Sequence, residues 1–252
     1  MRPDKGKPEQ DKNVIDPETF TFSPAEAIQI IKDAPEQTLI LDLDLTLVLG
    51  PTTEAFLDLA RPFRVTSTVL AALDKVSPWR LLPGGQDNRD WVRVVTVLLL
   101  IPSSYPQWRS TANAWTVSQT NHPLVDAARN HRGRVIVVTR GFSAIVKPVI
   151  KALRLRGDDE VLTIACKAWR WRGERQLTKT EQVARSPRLE TAADAIVVSD
   201  SIHDYDLFVA CQKPVLTEWE GAHWITPHKN THRLLSKKRT KPLFNSPLQR
   251  QR

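Results

Sequence analysis

The stretch TLILDLDLTLVLG, Thr38 to Gly50, decides the fold and raises the question of function. It is a run of Leu, Ile and Val that carries two aspartates, Asp42 and Asp44, with one residue between them. Ionised carboxylates are costly beside a packed core unless a metal ion, a hydrogen-bond network or a reaction requires them. Because apolar and polar residues alternate from Leu41 to Leu47, the wet face of an amphipathic strand is the alternative explanation.

The composition is that of a globular protein, with 41% hydrophobic and 25% charged residues in 252. This length suffices for one large domain or for a domain with an insertion. No apolar run resembles a secretory signal, and the longest one, Val94 to Pro102, is too short to span a bilayer. Two cysteines, Cys166 and Cys211, make neither a disulfide framework nor a zinc set. We therefore expect a cytoplasmic protein.

The net charge of +8 is concentrated in residues 229–252. That segment carries eight Lys and Arg residues and no Asp or Glu, so the preceding 228 residues sum to zero. A basic tail can bind an anionic membrane surface or nucleic acid, and a solvated, partly disordered terminus is the third alternative. The tail has no interleaved aromatic residues and no repeats, which favours the solvated terminus and makes nucleic acid an unexpected partner.

Five apolar runs separated by helical patterns predict a parallel sheet in an α/β fold. They cover 38–43, 134–139, 160–166, 195–200 and 214–218, and such solid runs are typical of strands buried on both faces. About 70 residues after the first run contain no strand pattern, and we expect them to form a helical cap. The predicted organisation is a leader (1–20), a core (21–50 and 123–228), a cap insert (51–122) and the basic tail (229–252).

Polar residues follow three of the predicted strands. They are Asp42, Asp44 and Thr46 after the first, Thr139 after the second, and Asp200 and Asp204 after the fourth. In a parallel α/β sheet, ligands bind beyond the carboxyl ends of the strands, so these side chains should meet at one edge. An amphipathic first strand does not explain polar residues at three strand ends. A lysine, Lys179, lies at the start of the helix that precedes the fourth strand.

Carboxylates that converge at one edge repel each other unless a cation compensates them. An oxygen-only donor set without a nearby pair of His or Cys favours Mg²⁺. One aspartate can then attack phosphorus, and a second, two residues on, can protonate the leaving oxygen and activate water. Hydroxyl groups and a lysine can hold the charge of the transferring phosphoryl group. Arg140, directly after Thr139, is placed for contact with the phosphate.

The order of these residues resembles the haloacid dehalogenase superfamily, most of whose members are Mg²⁺-dependent phosphohydrolases with a Rossmann-like core. The resemblance covers about residues 36 to 226. The family's motifs D-x-D-x-T, Thr/Ser, Lys and G-D-x-x-x-D match, in order, Asp42–Asp44–Thr46, Thr139, Lys179 (with Lys167 the weaker candidate) and Asp200–Asp204.

The resemblance implies a role for each matched residue. Asp42 would be the nucleophile and a metal ligand, and Asp44 the general acid and base that also offers its backbone carbonyl to the metal. Asp200 and Asp204 would complete the Mg²⁺ site. Thr46 and Thr139, together with Arg140, would bind the substrate phosphate, and Lys179 would join the catalytic set.

Two residues depart from the family pattern, since Leu45 and Ser199 stand where glycine is usual. The position of the insert looks like a C1 cap. The stretches LDLDLTLVLGPTTEAFLDLARP and KPVLTEWEGAHW look similar to family members encoded with or fused to membrane prenyltransferases. This similarity implies a membrane prenyltransferase as a partner and a peripheral membrane position as the alternative location.

We expect a phosphatase that hydrolyses a small phosphorylated metabolite through an aspartyl-phosphate intermediate. The alternative is a catalytically weak binding or regulatory module, held at a membrane by its tail. A protein phosphatase is less favoured because the cap would close an open groove. Asp206 is expected on the surface or as a helix cap. The cluster Trp169–Arg175 either grips an anionic substrate or stacks at a domain edge.

Overall fold

The computed structural model describes residues 17–156, 161–167, 174, 177–185 and 192–222. The predicted basic tail, most of the leader and all of the Trp169–Arg175 cluster except Glu174 lie outside these ranges. The elements follow one another as α1 (Pro24–Asp33), β1 (Thr38–Asp42), α2 (Thr52–Leu59), α3 (Phe63–Val76), α4 (Arg89–Leu100), α5 (Ser104–Gln119), α6 (His122–Asn130), β2 (Val135–Phe142), α7 (Ser143–Leu153), β3 (Val161–Cys166), α8 (Lys179–Ala184), β4 (Ala195–Ser199), α9 (Tyr205–Val209) and β5 (Lys213–Leu216).

The described strands form one parallel sheet in the order β3-β2-β1-β4-β5. Each of the five predicted runs forms a strand, so the predicted α/β fold with a parallel sheet is confirmed. Central strand β1 is fully buried at Leu39, Ile40 and Leu41. Leu39 and Leu41 pack with residues of α1, α6 and α7, whereas Ile40 faces Val183 of α8 and Leu207 of α9. Helices therefore cover both faces, which explains why the strands are apolar throughout.

Capping residues fix where two of the helices that cover the sheet, α1 and α8, begin. At α1, the Ser23 backbone N–H donates to the Glu26 carboxylate at 2.8 Å, while the Ser23 hydroxyl accepts from the Glu26 backbone. The same reciprocal pair, Thr178 and Glu181, starts α8. Such a capping box satisfies backbone donors that a helix leaves free in its first turn. The cap on α8 sets the position of its first residue, Lys179.

The order in which strands are added to the sheet reverses at β1, and a crevice is expected at this point. The chain runs from β1 through β2 to β3 on one side and then crosses to β4 and β5 on the other. Ligands in open α/β sheets bind where the strand order reverses, beyond the carboxyl ends. In the register, Asp42 pairs with Val138 and Leu41 with Val198. Asp42 and Ser199 are the last residues of their strands, and Thr139 lies at about the same level. The sequence predicted that the second strand would end at Thr139, but β2 continues to Phe142, with an irregular register after Val138.

Helices α2 to α5 lie between β1 and β2, and the two ends of this segment lie side by side. The Leu49 N–H donates to the Gln119 carbonyl at 2.7 Å, and Asn121 N–H donates to the Leu47 carbonyl at 3.0 Å. Helix α5 packs on α7, where the buried Trp108 Nε1 donates to a backbone carbonyl of α7 at 2.9 Å. The helices of this segment share one hydrophobic cluster with the sheet. Among the described helices, none has the length and apolar character needed to cross a membrane.

Candidate active site

A buried lysine joins two carboxylates at the carboxyl edge of the sheet. Lys179 Nζ lies 2.7 Å from Asp42 Oδ1 and 2.7 Å from Asp204 Oδ2, and its side chain is 7% exposed. An ammonium group is buried only when charged or polar partners replace its water, and here two carboxylates do so. The structure thus brings together Lys179, Asp42 and Asp204. The other lysine candidate, Lys167, follows β3 with an exposed side chain.

Thr46 connects the loop after β1 to Asp200 after β4. Its hydroxyl donates to Asp200 Oδ1 at 3.3 Å and accepts from the Asp200 N–H at 3.1 Å. The loop folds back because Leu45 adopts a left-handed conformation, with φ of 63°, and the Val48 N–H donates to the Leu43 carbonyl at 3.0 Å. A left-handed residue explains why glycine would suit position 45. The Thr46 side chain is therefore engaged with Asp200.

Asp44 is held by the helix that opens the inserted segment. Its Oδ1 accepts the Thr52 backbone N–H at 2.6 Å. Thr52 is the first residue of α2, so this N–H is one of the donors that the helix itself does not use. The positive end of the helix dipole adds to the attraction for a carboxylate. Asp44 is consequently fixed by a backbone group whose position depends on α2.

The end of β2 supplies a hydroxyl group and an N–H. The Thr139 Oγ1 accepts the Gly141 N–H at 3.0 Å, so the hydroxyl proton remains to be donated to another oxygen. A Cβ at Gly141 would lie 2.8 Å from Val146 Cγ2, so the Val146 side chain would have to shift, and 3.2 Å from Thr139 Oγ1, which is a tight contact. Glycine therefore leaves room for both side chains. The exposed Arg140 lies between these two residues.

Burial and mutual repulsion raise the pKa values of the acidic groups. Burial raises the pKa of Asp42 to about 7, against the opposing charge of Lys179 and with further repulsion from Asp204 and Asp200. Burial likewise raises the pKa of Asp200 to about 6. For Asp44, burial raises the pKa although the Thr52 N–H lowers it. Burial alone would lower the pKa of Lys179, but Asp42 and Asp204 outweigh it and keep the ammonium charged.

The donor set fits a hard divalent cation. Lys179 neutralises one charge of a site that contains four carboxyl groups. Burial is the main reason that the pKa values of Asp42 and Asp200 are raised, and repulsion between the carboxylates raises them further. In the described part of the chain, no three His, Cys, Asp or Glu side chains converge closely enough to hold a metal ion by themselves. Mg²⁺ does not need three, because it commonly binds one or two carboxylates and keeps several waters. Asp42, Asp200 and the Asp44 carbonyl would suffice.

Three further residues, Ser199, Thr52 and Asp206, support this site through contacts that the sequence did not specify. Ser199 donates to Asp204 Oδ2 at 2.5 Å, although the sequence marked it only as a replaced glycine. Thr52 supplies the N–H for Asp44, for which the only sequence signal is the helix start after Pro51. Asp206 accepts the Thr180 N–H at 3.2 Å and so caps the helix that carries Lys179. The sequence offered a helix cap as one of two roles for Asp206.

Comparisons with known proteins give a family match and a similar solved structure. A model of the haloacid dehalogenase-like hydrolase family matches residues 39–208, which include every candidate site residue. Among solved structures, the chain is similar to the crystal structure of cytosolic 5′-nucleotidase IIIB bound to cytidine, with 11% identity and a TM-score of 0.40. That match covers 84% of this chain and 81% of the other. The search of curated proteins gave no match.

Proposed function

This chain belongs to the haloacid dehalogenase-like hydrolase family, and from that premise we propose that it is a Mg²⁺-dependent phosphohydrolase. It would act on a small phosphorylated metabolite through an aspartyl-phosphate on Asp42. The observation that carries the proposal is the buried contact of Lys179 with Asp42 and Asp204. Burying charged groups lowers the stability of the folded protein because they lose their contacts with water. The presence of such a cluster therefore favours a role in catalysis over a passive role in binding.

The first half of the proposed reaction uses Asp42 and Asp44. Lys179 holds Asp42 Oδ1, which leaves Oδ2 to attack the substrate phosphorus. As the new O–P bond forms, the bond from phosphorus to the leaving oxygen breaks, and Asp44 gives that oxygen its proton. The raised pKa of Asp44 suits this role, because a buried carboxyl group retains a proton to donate.

The second half regenerates the enzyme. Water attacks the phosphorus of the aspartyl-phosphate while Asp44 accepts a proton of the water. The bond between Asp42 and phosphorus then breaks, so that inorganic phosphate leaves and Asp42 returns to the carboxylate form. Thr139, through its free O–H, and Arg140 would bind phosphoryl oxygens, while Thr46 contributes by holding Asp200. When bound by Asp42, Asp200 and the Asp44 carbonyl, with Asp204 as a ligand or a support, Mg²⁺ supplies positive charge to the phosphoryl group.

A screen of phosphate esters, with Mg²⁺ and with a chelator, tests this function. We expect hydrolysis of at least one small phosphate monoester that stops when the metal is removed. Asp42→Asn should be inactive, and Asp126→Asn, which changes an exposed aspartate on α6, serves as the matched control. A folded wild-type protein that binds Mg²⁺ but hydrolyses no ester would favour the alternative, a catalytically weak regulatory module.

A further inference from the structure

Ser199 ends β4 with a buried hydroxyl group that points at Asp204. Its Oγ lies 2.5 Å from Asp204 Oδ2, and the residue is 1% exposed. The same oxygen accepts the Ser201 N–H at 3.3 Å. A carboxylate oxygen can only accept, so the Ser199 proton is directed to Asp204. The direction of this hydrogen bond is therefore fixed from both sides.

One oxygen atom of Asp204 receives two donors, the Ser199 hydroxyl and the Lys179 ammonium. The terminal torsion of an aspartate is broad and two-fold, so a single donor leaves its carboxylate considerable freedom to rotate. Two donors that converge on Oδ2 from different elements restrict that rotation. Lys179 in turn carries a long, flexible side chain that loses conformational freedom when it is held in place.

We propose that Ser199 is a positioning residue that holds the Asp204 carboxylate in the orientation that seats Lys179 on Asp42. The effect passes from Ser199 to Asp204, from Asp204 to Lys179, and from Lys179 to the nucleophile. The consequence for catalysis rests on the proposed phosphohydrolase function, whereas the effect on Lys179 does not. The hydroxyl thus has a role in this chain that glycine at the same place cannot supply.

The direct test is the rate at which an amine-reactive reagent labels Lys179, measured by mass spectrometry against the exposed Lys32. In the wild-type protein, burial and ion pairing should make Lys179 slow to react. Ser199→Ala should raise its rate at least fivefold relative to Lys32, and Ser199→Thr, which keeps the hydroxyl, should restore the slow rate. Thr217→Val is the matched control, because it removes a buried hydroxyl that has no hydrogen-bond partner among the described residues.

Kinetics supply the second readout. Ser199→Ala should lower kcat about tenfold with less than a threefold change in KM, and Ser199→Thr should recover most of it. Should the alanine variant not fold, Ser199→Cys replaces the oxygen with a weakly donating sulfur and allows the same comparison.

Each outcome of these measurements decides whether Ser199 positions Lys179 through Asp204. Unchanged labelling of Lys179 in Ser199→Ala would overturn the proposal, and so would failure of Ser199→Thr to restore slow labelling. A similar rise in Thr217→Val would show general loosening and would also overturn it. If the wild-type protein hydrolyses no ester, the proposed function fails, but the labelling still decides whether Ser199 holds Lys179.

Discussion

Lys179 Nζ lies 2.7 Å from Asp42 Oδ1, although one residue begins a helix and the other ends the central strand. The contact joins two regions of the chain that the fold alone brings together. It gives Asp42, the proposed nucleophile, a fixed orientation and cancels one negative charge at the edge of the sheet. An excess of negative charge remains, which a cation would balance; it is carried by Asp44, Asp200 and Asp204.

Replacing the nucleophile tests the chemistry most directly. We expect Asp42→Asn to lower kcat by at least three powers of ten, because an amide oxygen is a poor nucleophile. The amide is nearly the same size, so the thermal unfolding midpoint should stay close to that of the wild-type protein. Phosphatase assays, with circular dichroism as the check on folding, measure both quantities. Activity above about one per cent of wild type would contradict covalent catalysis by Asp42.

The raised pKa values predict a pH-dependent response to Mg²⁺. Asp42 has a pKa of about 7 in the folded chain, whereas an unfolded aspartate has a pKa of about 4. The folded, metal-free protein therefore binds more protons in this window, and the contribution of Asp42 to stability falls as the pH rises from 4 to 7. Mg²⁺ must displace these protons, so its affinity should rise with pH.

Thermal unfolding with and without Mg²⁺ at pH 6 and pH 8 measures this dependence. The increase in Tm caused by Mg²⁺ should be larger at pH 8. In Asp200→Asn, the increase should be much smaller at both values, because a proposed ligand is lost. A metal-bound crystal structure should have oxygen atoms at about 2.1 Å in octahedral array. An equal rise in Tm in Asp200→Asn and the wild type would remove Asp200 from the proposed site.

The sequence predicted the sheet well because its strands are easy to recognise. Most of them are runs of β-branched and aliphatic residues, and polar residues follow three of them at one edge of the sheet. The contacts among residues at this edge were harder to predict from the sequence. The start of a helix after Pro51 is the only signal for the Thr52 N–H, and it does not indicate that Asp44 accepts this donor. Leucine rarely adopts a left-handed conformation, so the conformation of Leu45 could not be predicted from the residue itself. The extent of the cap and the role of the tail stay predictions.

Thr52→Pro isolates the backbone donor that holds Asp44. Proline suits the first position of a helix, and Pro51, with ψ of 118°, already has the conformation that a following proline requires. The variant should keep α2 but lose the N–H. We expect kcat to fall at least tenfold on alkyl phosphates, whose leaving oxygen needs a proton, and less than threefold on p-nitrophenyl phosphate.

Thr52→Val is the control, since it removes the hydroxyl and keeps the N–H. Equal losses on both esters in Thr52→Pro would indicate damage to the whole site instead of misplacement of Asp44. A similar pattern in Thr52→Val would assign the effect to the side chain.

Leu45→Gly changes the stability of the protein in two opposite ways, by relieving backbone strain and by removing a buried side chain. The left-handed conformation costs a leucine about 1–2 kcal/mol, which glycine would relieve. The side chain is only 4% exposed, however, and truncating a buried leucine costs about 2–5 kcal/mol. We therefore expect the variant to be less stable by about 1–3 kcal/mol in urea unfolding. A more stable variant would mean that strain outweighs packing at this turn.

The tail is expected to act on location and not on chemistry. Residues 229–252 carry the whole net charge, and every candidate site residue lies before them. Each basic residue near an anionic membrane contributes about 1 kcal/mol, so eight can bind acidic lipid in a salt-dependent way. Truncation after His228 should keep kcat on a soluble ester within about twofold and abolish sedimentation with anionic vesicles. A folded but inactive truncated protein would place the tail at the active site.

The central position of β1 has a consequence for how the protein is made. Its two neighbours in the sheet, β2 and β4, are both distant in sequence, so Asp42 cannot be enclosed until Asp200 has been synthesised. A ribosome must add 158 residues after Asp42 to reach Asp200, which takes roughly 8–30 s at about 5–20 residues per second. Strand β2 is made earlier and can pair with one edge of β1, whereas the other edge has no partner until β4 follows. An unpaired, apolar strand edge is prone to aggregate, so β1 is exposed to that risk until late in synthesis.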